Sequence, residues 1–231
     1  KRKILISTIE KEITLRFLKA RKKDGFLNII SIFSFIGISL GVAVLIIVMS
    51  VMNGFRTELI NKIVGFNAHI VVDPYEKKID ISDKPNLTSI SENLILSNNG
   101  EAIIIKKDSS KGIILRGYMD EDFSKLEFIN NKSYIGNKDD LNKNNISIGK
   151  ELSFVLGVKV GDNITIMSSS GVQTIIGTLP KQKTFKIISL FESGLVDFDN
   201  NIAFINLETL EEFFNLSNKN RKLEIYLKNP Q

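Results

Sequence analysis

Apolar and polar positions follow three different rhythms along this chain, and each rhythm predicts a different element. From Gly25 to Phe55, 31 consecutive positions pass without a charged side chain. About 20 apolar residues cross the hydrocarbon core of a bilayer as a helix, so this run is long enough to span with some tilt. Its centre, Ile29 to Met52, holds 15 Leu, Ile, Val and Phe residues. Each favours insertion by roughly 0.3–0.6 kcal/mol, and together they offset the Ser and Gly among them. A buried helix of a soluble protein is the competing reading. It fits poorly, because such a helix rarely lacks a polar stripe over so many turns. A cleaved signal sequence also fits poorly, since the run is too long for one and no A-x-A-like site follows. An uncleaved signal anchor is predicted.

The second rhythm is helical and lies before the run. Ile9, Ile13 and Phe17 recur four apart with Leu18 beside them, and Glu12 precedes Arg16 in a favourable i, i+4 order. This predicts an amphipathic helix, either lying in a membrane interface or solvated against other parts of the protein.

The third rhythm begins after Phe55. Arg56 to Val64 continues the helix, with Leu59, Ile60 and Ile63 on one side, and Gly65 is expected to stop it. Strands are predicted at 68–72, 101–107, 111–118, 146–148, 163–167, 184–190, 202–205 and 222–227. Short helices are predicted at 120–128, 150–156 and 207–214, with another near 88–94 in an otherwise polar stretch. The interleaving lacks the regular alternation of a doubly wound sheet, which argues α+β. Residues 168–183 separate two strands by far more than a hairpin needs, and carry Ile175, Ile176 and Leu179 beside one of only four prolines, Pro180. Either this is a functional loop or it is a hairpin that extends its sheet.

Charge orients the chain. Residues 1–24 carry nine Lys or Arg against three acids, a net +6, while the other 207 residues carry 22 bases and 23 acids. The positive-inside rule places the first segment in the cytoplasm, so the basic balance reports topology rather than nucleic-acid binding. Cysteine is absent, which removes disulfides and thiolate metal sites from consideration. The single histidine, His69, sits among apolar neighbours and reads as structural. The acidic runs Asp120-Glu121-Asp122 and Asp139-Asp140 read as solvated. No metal-ligand spacing, nucleophile arrangement or phosphate-binding G-x-x-x-x-G-K-[ST] motif occurs, so neither a cofactor nor catalysis is expected. Gly37 and Gly41 form a G-x-x-x-G pair with Ser34 one turn earlier, a face that allows close helix–helix approach.

Three groups of residues together resemble a known family. One is Ser34-Phe35-Ile36-Gly37-Ile38-Ser39-Leu40-Gly41-Val42-Ala43, running on to Ser50-Val51-Met52-Asn53-Gly54-Phe55. Another is Ile148-Gly149-Lys150-Glu151-Leu152, followed by 156–162 (Leu-Gly-Val-Lys-Val-Gly-Asp). The last is 177–185 (Gly-Thr-Leu-Pro-Lys-Gln-Lys-Thr-Phe) with 191–199 (Phe-Glu-Ser-Gly-Leu-Val-Asp-Phe-Asp). Their order and spacing are similar to the LolC/LolE permeases of lipoprotein-releasing ABC transporters, within the wider MacB-like group. The resemblance implies a transmembrane helix followed by a mixed α+β MacB-like periplasmic domain with a protruding β-hairpin hook. In those terms residues 1–24 are cytoplasmic, 25–55 span the membrane, and 56–231 are periplasmic, with the hook at about 168–183. It also implies three further spans, so the chain reads as a piece of a longer multi-pass inner-membrane protein.

The partners so implied are a separate LolD-like ATP-binding subunit, a second permease subunit, the lipoprotein substrate, and a soluble LolA-like carrier recruited by Ile175, Ile176, Gly177, Leu179 and Pro180. Val48, Val51, Met52 and Phe55, at the outer end of the span, would meet the lipoprotein's acyl chains, and Met49 and Met52 suit adaptable contacts. Ser34, Gly37 and Gly41 would pack against other helices. The competing functions are a MacB-like efflux or mechanotransmission permease, which should lack the hook, a cell-division-type regulatory permease, and a single-pass sensor.

Overall fold

The computed structural model describes residues 8–18, 25–75, 78–81, 85–106, 109–130, 134–137, 139–174 and 177–228. They fall into two compact units, Lys1–Glu58 and Leu59–Gln231.

The first unit is helical. α1 spans Thr8–Leu18, with Ile9 and Ile13 exposed on one side. α2 runs from Gly25 to Phe66, 42 residues, or about 63 Å at 1.5 Å per residue. Phe26, Phe33, Phe35 and Phe55 are each more than half exposed. A core helix of a soluble protein buries such rings, so outward-facing phenylalanines along α2 suit a lipid surround. The expected stop at Gly65 comes one residue early. The helix closes at Phe66, where the Asn67 N–H donates to the Ile63 carbonyl at 3.1 Å.

The second unit is α+β. Its elements after α2 are β1 (Ile70–Val72), α3 (Pro85–Ile90), β2 (Ser91–Lys106), β3 (Ser109–Tyr118), α4 (Asp120–Phe123), β4 (Ile135–Gly136), β5 (Asn145–Gly149), α5 (Lys150–Leu156), β6 (Asn163–Thr174), β7 (Gly177–Phe191), α6 (Val196–Asn201), β8 (Ile202–Asn206), α7 (Leu207–Phe214) and β9 (Lys222–Leu227). The strand pairs run β2–β3, β3–β8, β8–β5, β5–β7, β7–β6 and then β6–β2. The last ladder, Ala102↔Ser168 to Ile105↔Thr165, returns to the first strand. Six strands therefore close into a barrel, which removes the open edges a sheet would otherwise expose. The β3–β8 and β5–β7 pairs are parallel and the other four antiparallel.

Two apolar cores follow from strand alternation. One gathers Ala102, Ile104, Ile113, Leu115, Ile146, Ile148, Ile164, Ile166, Phe185 and Ile187, joined by Leu152 of α5 and by Leu210 and Phe213 of α7. The other gathers Phe66, Ile95, Tyr118, Phe123, Phe128, Phe191 and Phe204. Phe66 stands 4.8 Å from the Phe128 ring and 4.9 Å from that of Phe198. A small antiparallel sheet, β1–β9–β2, uses the first half of β2.

Of the two readings of residues 168–183, the hairpin is the one found: β6 runs to Thr174 and β7 starts at Gly177, with Gly171–Thr174 paired to Gly177–Pro180. Two expectations need correction. The polar stretch before Gly100 is not irregular: β2 begins at Ser91, and the short helix lies earlier, at Pro85–Ile90. The single helix expected at 120–128 is instead α4 followed by a 3-10 turn at Glu127–Asn130. α6 was not anticipated at all.

Candidate functional site

Beyond the barrel the β6–β7 ladder continues without a third strand. β2 pairs with β6 only as far as Ser168, whereas Gly171↔Pro180, Val172↔Leu179, Gln173↔Thr178 and Thr174↔Gly177 prolong the hairpin. The register slips between Met167 and Gly171. Such an irregularity turns a strand and strengthens its twist. The result is a two-stranded arm. Leu179 is 55 % exposed and Pro180 is exposed beside it. Gly177 has φ +123°, a conformation that L side chains rarely adopt, so glycine there is required by the backbone. Ile175 and Ile176 lie outside the described residues. At the arm's root a cleft of about 270 Å³ is lined by Lys181, Gln182, Lys183, Thr209, Glu212 and Phe213.

The candidate lipid-facing residues sit on α2. Val48, Val51, Met52 and Phe55 are each more than half exposed. Ser34, Gly37 and Gly41 precede them at spacings of three and four, and Gly41 to Val48 is seven, so all share one face of the helix. A side chain built at Gly37 or Gly41 would meet nothing within 4 Å. This face is small in its N-terminal half and bulky in its C-terminal half.

The motif around Gly149 is explained by close packing. A Cβ at Gly149 would stand 1.9 Å from the Asp199 carbonyl oxygen, so only glycine lets β5 pass α6. Asp199 is buried and accepts the Ser193 N–H at 2.7 Å. Burial raises its pKa above the ordinary carboxylate value, and the Ser193 N–H partly restrains the rise. Two separate segments of the resemblance thus meet in one contact.

Sequence reasoning missed a buried polar cluster. Glu224 of β9 accepts from Ser97 Oγ at 2.6 Å, Tyr118 OH at 2.9 Å, Tyr226 OH at 3.1 Å and Arg116 Nη2 at 3.2 Å. Arg116 also donates to Asn67 Oδ1 at 3.3 Å, just past the end of α2, and lies 5.9 Å over the Phe66 ring. Burial opposes the Arg116 cation, but the Glu224 carboxylate beside it, which also accepts its hydrogen bond, outweighs that and raises its pKa. Burial pushes the Tyr118 phenol well up. A nearby pair, Arg221 and Glu211, meets at 2.7 Å and also holds Asn98. The one available signal was a lone glutamate inside the apolar strand Leu223–Leu227. His69 is structural: its Nδ1 accepts the Leu227 N–H at 2.7 Å. Asp120 accepts the Leu141 N–H and Asp122 pairs with Lys125. Among the described residues no group of three or more His, Asp or Glu could hold a metal ion.

The chain matches the MacB-like periplasmic core domain family over residues 31–230. Among curated proteins it is 30 % identical to the lipoprotein-releasing system transmembrane protein LolC of Xylella fastidiosa (strain Temecula1 / ATCC 700964), over 88 % of this chain and 51 % of that protein. It is also 30 % identical to LolC of Neisseria meningitidis serogroup B, over 97 % of this chain and 55 % of the relative. LolE of Haemophilus influenzae is 29 % identical over 68 % of this chain and 40 % of its own length. The chain thus spans about half the length of the LolC relatives it matches. Similar solved structures include the extracellular domain of the noncanonic ABC-type transporter YknZ from Gram-positive bacteria. It has a TM-score of 0.42 and 11 % identity, covering 69 % of this chain and 84 % of that one. The periplasmic region of MacB from Actinobacillus actinomycetemcomitans gives the same score and identity, covering 69 % and 73 %.

Proposed function

This chain belongs to the MacB-like periplasmic core domain family, and from that premise we propose that it is the first span and periplasmic domain of a permease subunit that releases lipoproteins from the inner membrane. The observation that carries the reading is similarity to LolC proteins across nearly the whole chain, span and domain together. The charge asymmetry supports the orientation, with the N-terminal segment cytoplasmic and the barrel periplasmic.

The physics sets what such a subunit must do. An acyl chain drawn into water costs about 0.8 kcal/mol per methylene. Extraction therefore needs an apolar path, a receiving carrier and an energy source. The outward face of α2 at Val48, Val51, Met52 and Phe55 supplies apolar surface where the substrate's chains leave the bilayer. Ser34, Gly37 and Gly41 let a neighbouring helix approach. The β6–β7 arm, through Gly177, Leu179, Pro180 and the adjoining Ile175 and Ile176, acts as the hook that docks a soluble LolA-like carrier. Energy comes from a separate LolD-like ATPase acting on this subunit and a second permease subunit. The chain itself is a non-catalytic component.

The test is site-specific photo-crosslinking from Leu179 of the full-length protein in membranes. Capture of a soluble periplasmic lipid carrier is expected. A folded, membrane-inserted protein that captures no such carrier would overturn the hook assignment.

A further inference from the structure

We infer that Lys181 is a strut that fixes the angle of the β6–β7 arm by tying its root to the carboxyl end of α7. The arm needs one. Past Ser168 it is a two-stranded ribbon, and ribbons of that kind twist and bend far more readily than a closed sheet. α7, by contrast, is fixed, with Leu207, Leu210 and Phe213 buried.

Lys181 bridges the two. Its Nζ donates to the Glu212 carbonyl at 2.9 Å and to Asn215 Oδ1 at 2.6 Å. Carbonyls in the last turn of a helix lack intrahelical partners and carry its negative partial charge, so an ammonium group suits them. Asn215 holds the helix cap at φ 56°, with its N–H on the Glu211 carbonyl, which presents the side-chain oxygen toward the arm. The lysine follows Pro180 directly, so the tie acts where the arm leaves the barrel. Its bonds lie at the surface and fill no core, so losing them leaves the barrel intact and frees the arm. This role rests on the docking reading only in its consequence: an arm that wanders spends less time in the orientation a carrier meets, and apparent affinity falls by that fraction.

The experiment uses the full-length permease in lipid nanodiscs, with spin labels at Leu179 on the arm and Glu208 on α7. The native protein gives one narrow distance distribution. Lys181→Met broadens it while the thermal unfolding midpoint stays unchanged. Lys181→Arg restores it. Asn215→Gly, which keeps the left-handed cap and removes the acceptor, broadens it as well. In a parallel measurement, carrier capture from a photo-crosslinker at Leu179 falls about threefold or more in Lys181→Met. An unchanged distance distribution in Lys181→Met overturns the strut. If the distribution responds but the native protein captures no carrier, the strut stands and the docking reading falls.

Discussion

Glu224 and Asp199 are both buried carboxylates, and their surroundings assign them opposite tasks. Glu224 is surrounded by a guanidinium and three hydroxyls, so its charge is compensated and it knits β9 to β3 and to the first half of β2. Asp199 is pressed against Gly149, and burial keeps its proton on to a higher pH than in the unfolded chain. The native state then binds more protons than the unfolded state, so this group's contribution is largest in acid. It declines as pH rises from about 4, the unfolded value, through the raised native value. Asp199→Asn cannot titrate and still accepts the Ser193 N–H. Its stability relative to the native chain should therefore improve between pH 4 and pH 7, read as urea midpoints by tyrosine fluorescence. A difference independent of pH would show that burial is not what sets this carboxyl. The signal is clean because tryptophan is absent and all four tyrosines, Tyr75, Tyr118, Tyr134 and Tyr226, lie in the second unit.

Among elements, β6 carries two different levels of protection on one strand. Thr165 to Met167 are flanked by β2 and β7, while Gly171 to Thr174 pair on one side only. Amide hydrogen exchange should be slower by an order of magnitude or more in the first group, since opening it requires opening the barrel. Equal rates would mean that the ring does not close through this strand. The same element shows where sequence reading stops. α5, α7 and β9 were legible to the residue because their apolar period is undisturbed. The arm can be read as loop because Ser168, Ser169, Ser170 and Gly171 are turn formers; the β6–β7 register slips just there and the ladder resumes at Gly171↔Pro180. The start of β2 looked irregular because Ser97 and Asn98 are polar, yet both are buried against Glu224 and Glu211, partners more than a hundred residues away.

For the whole molecule, the apolar span, the α+β class and the family resemblance could be read from the chain, whereas ring closure could not. The closing ladder joins 102–105 to 165–168, and nothing local announces a pairing at that separation. The second unit contains both cores, including Phe66 from the last turn of α2. A chain beginning at Leu59 should therefore fold without detergent and unfold cooperatively. Phe66→Ala within it should cost about 3–5 kcal/mol, because the ring stacks among Phe128, Phe191 and Phe198. Failure of the shorter chain to fold would mean that residues before Leu59 are needed for the second unit to fold. Because the six strands pair edge to edge into a closed ring, the outer part of the β6–β7 arm is an appendage on a finished cylinder. It can be shortened, lengthened or exchanged for another tip without unravelling what it grows from. Descent from a common scaffold can thus vary the arm freely while the cylinder stays the same, and a tip grafted from a relative is a modular replacement rather than a redesign.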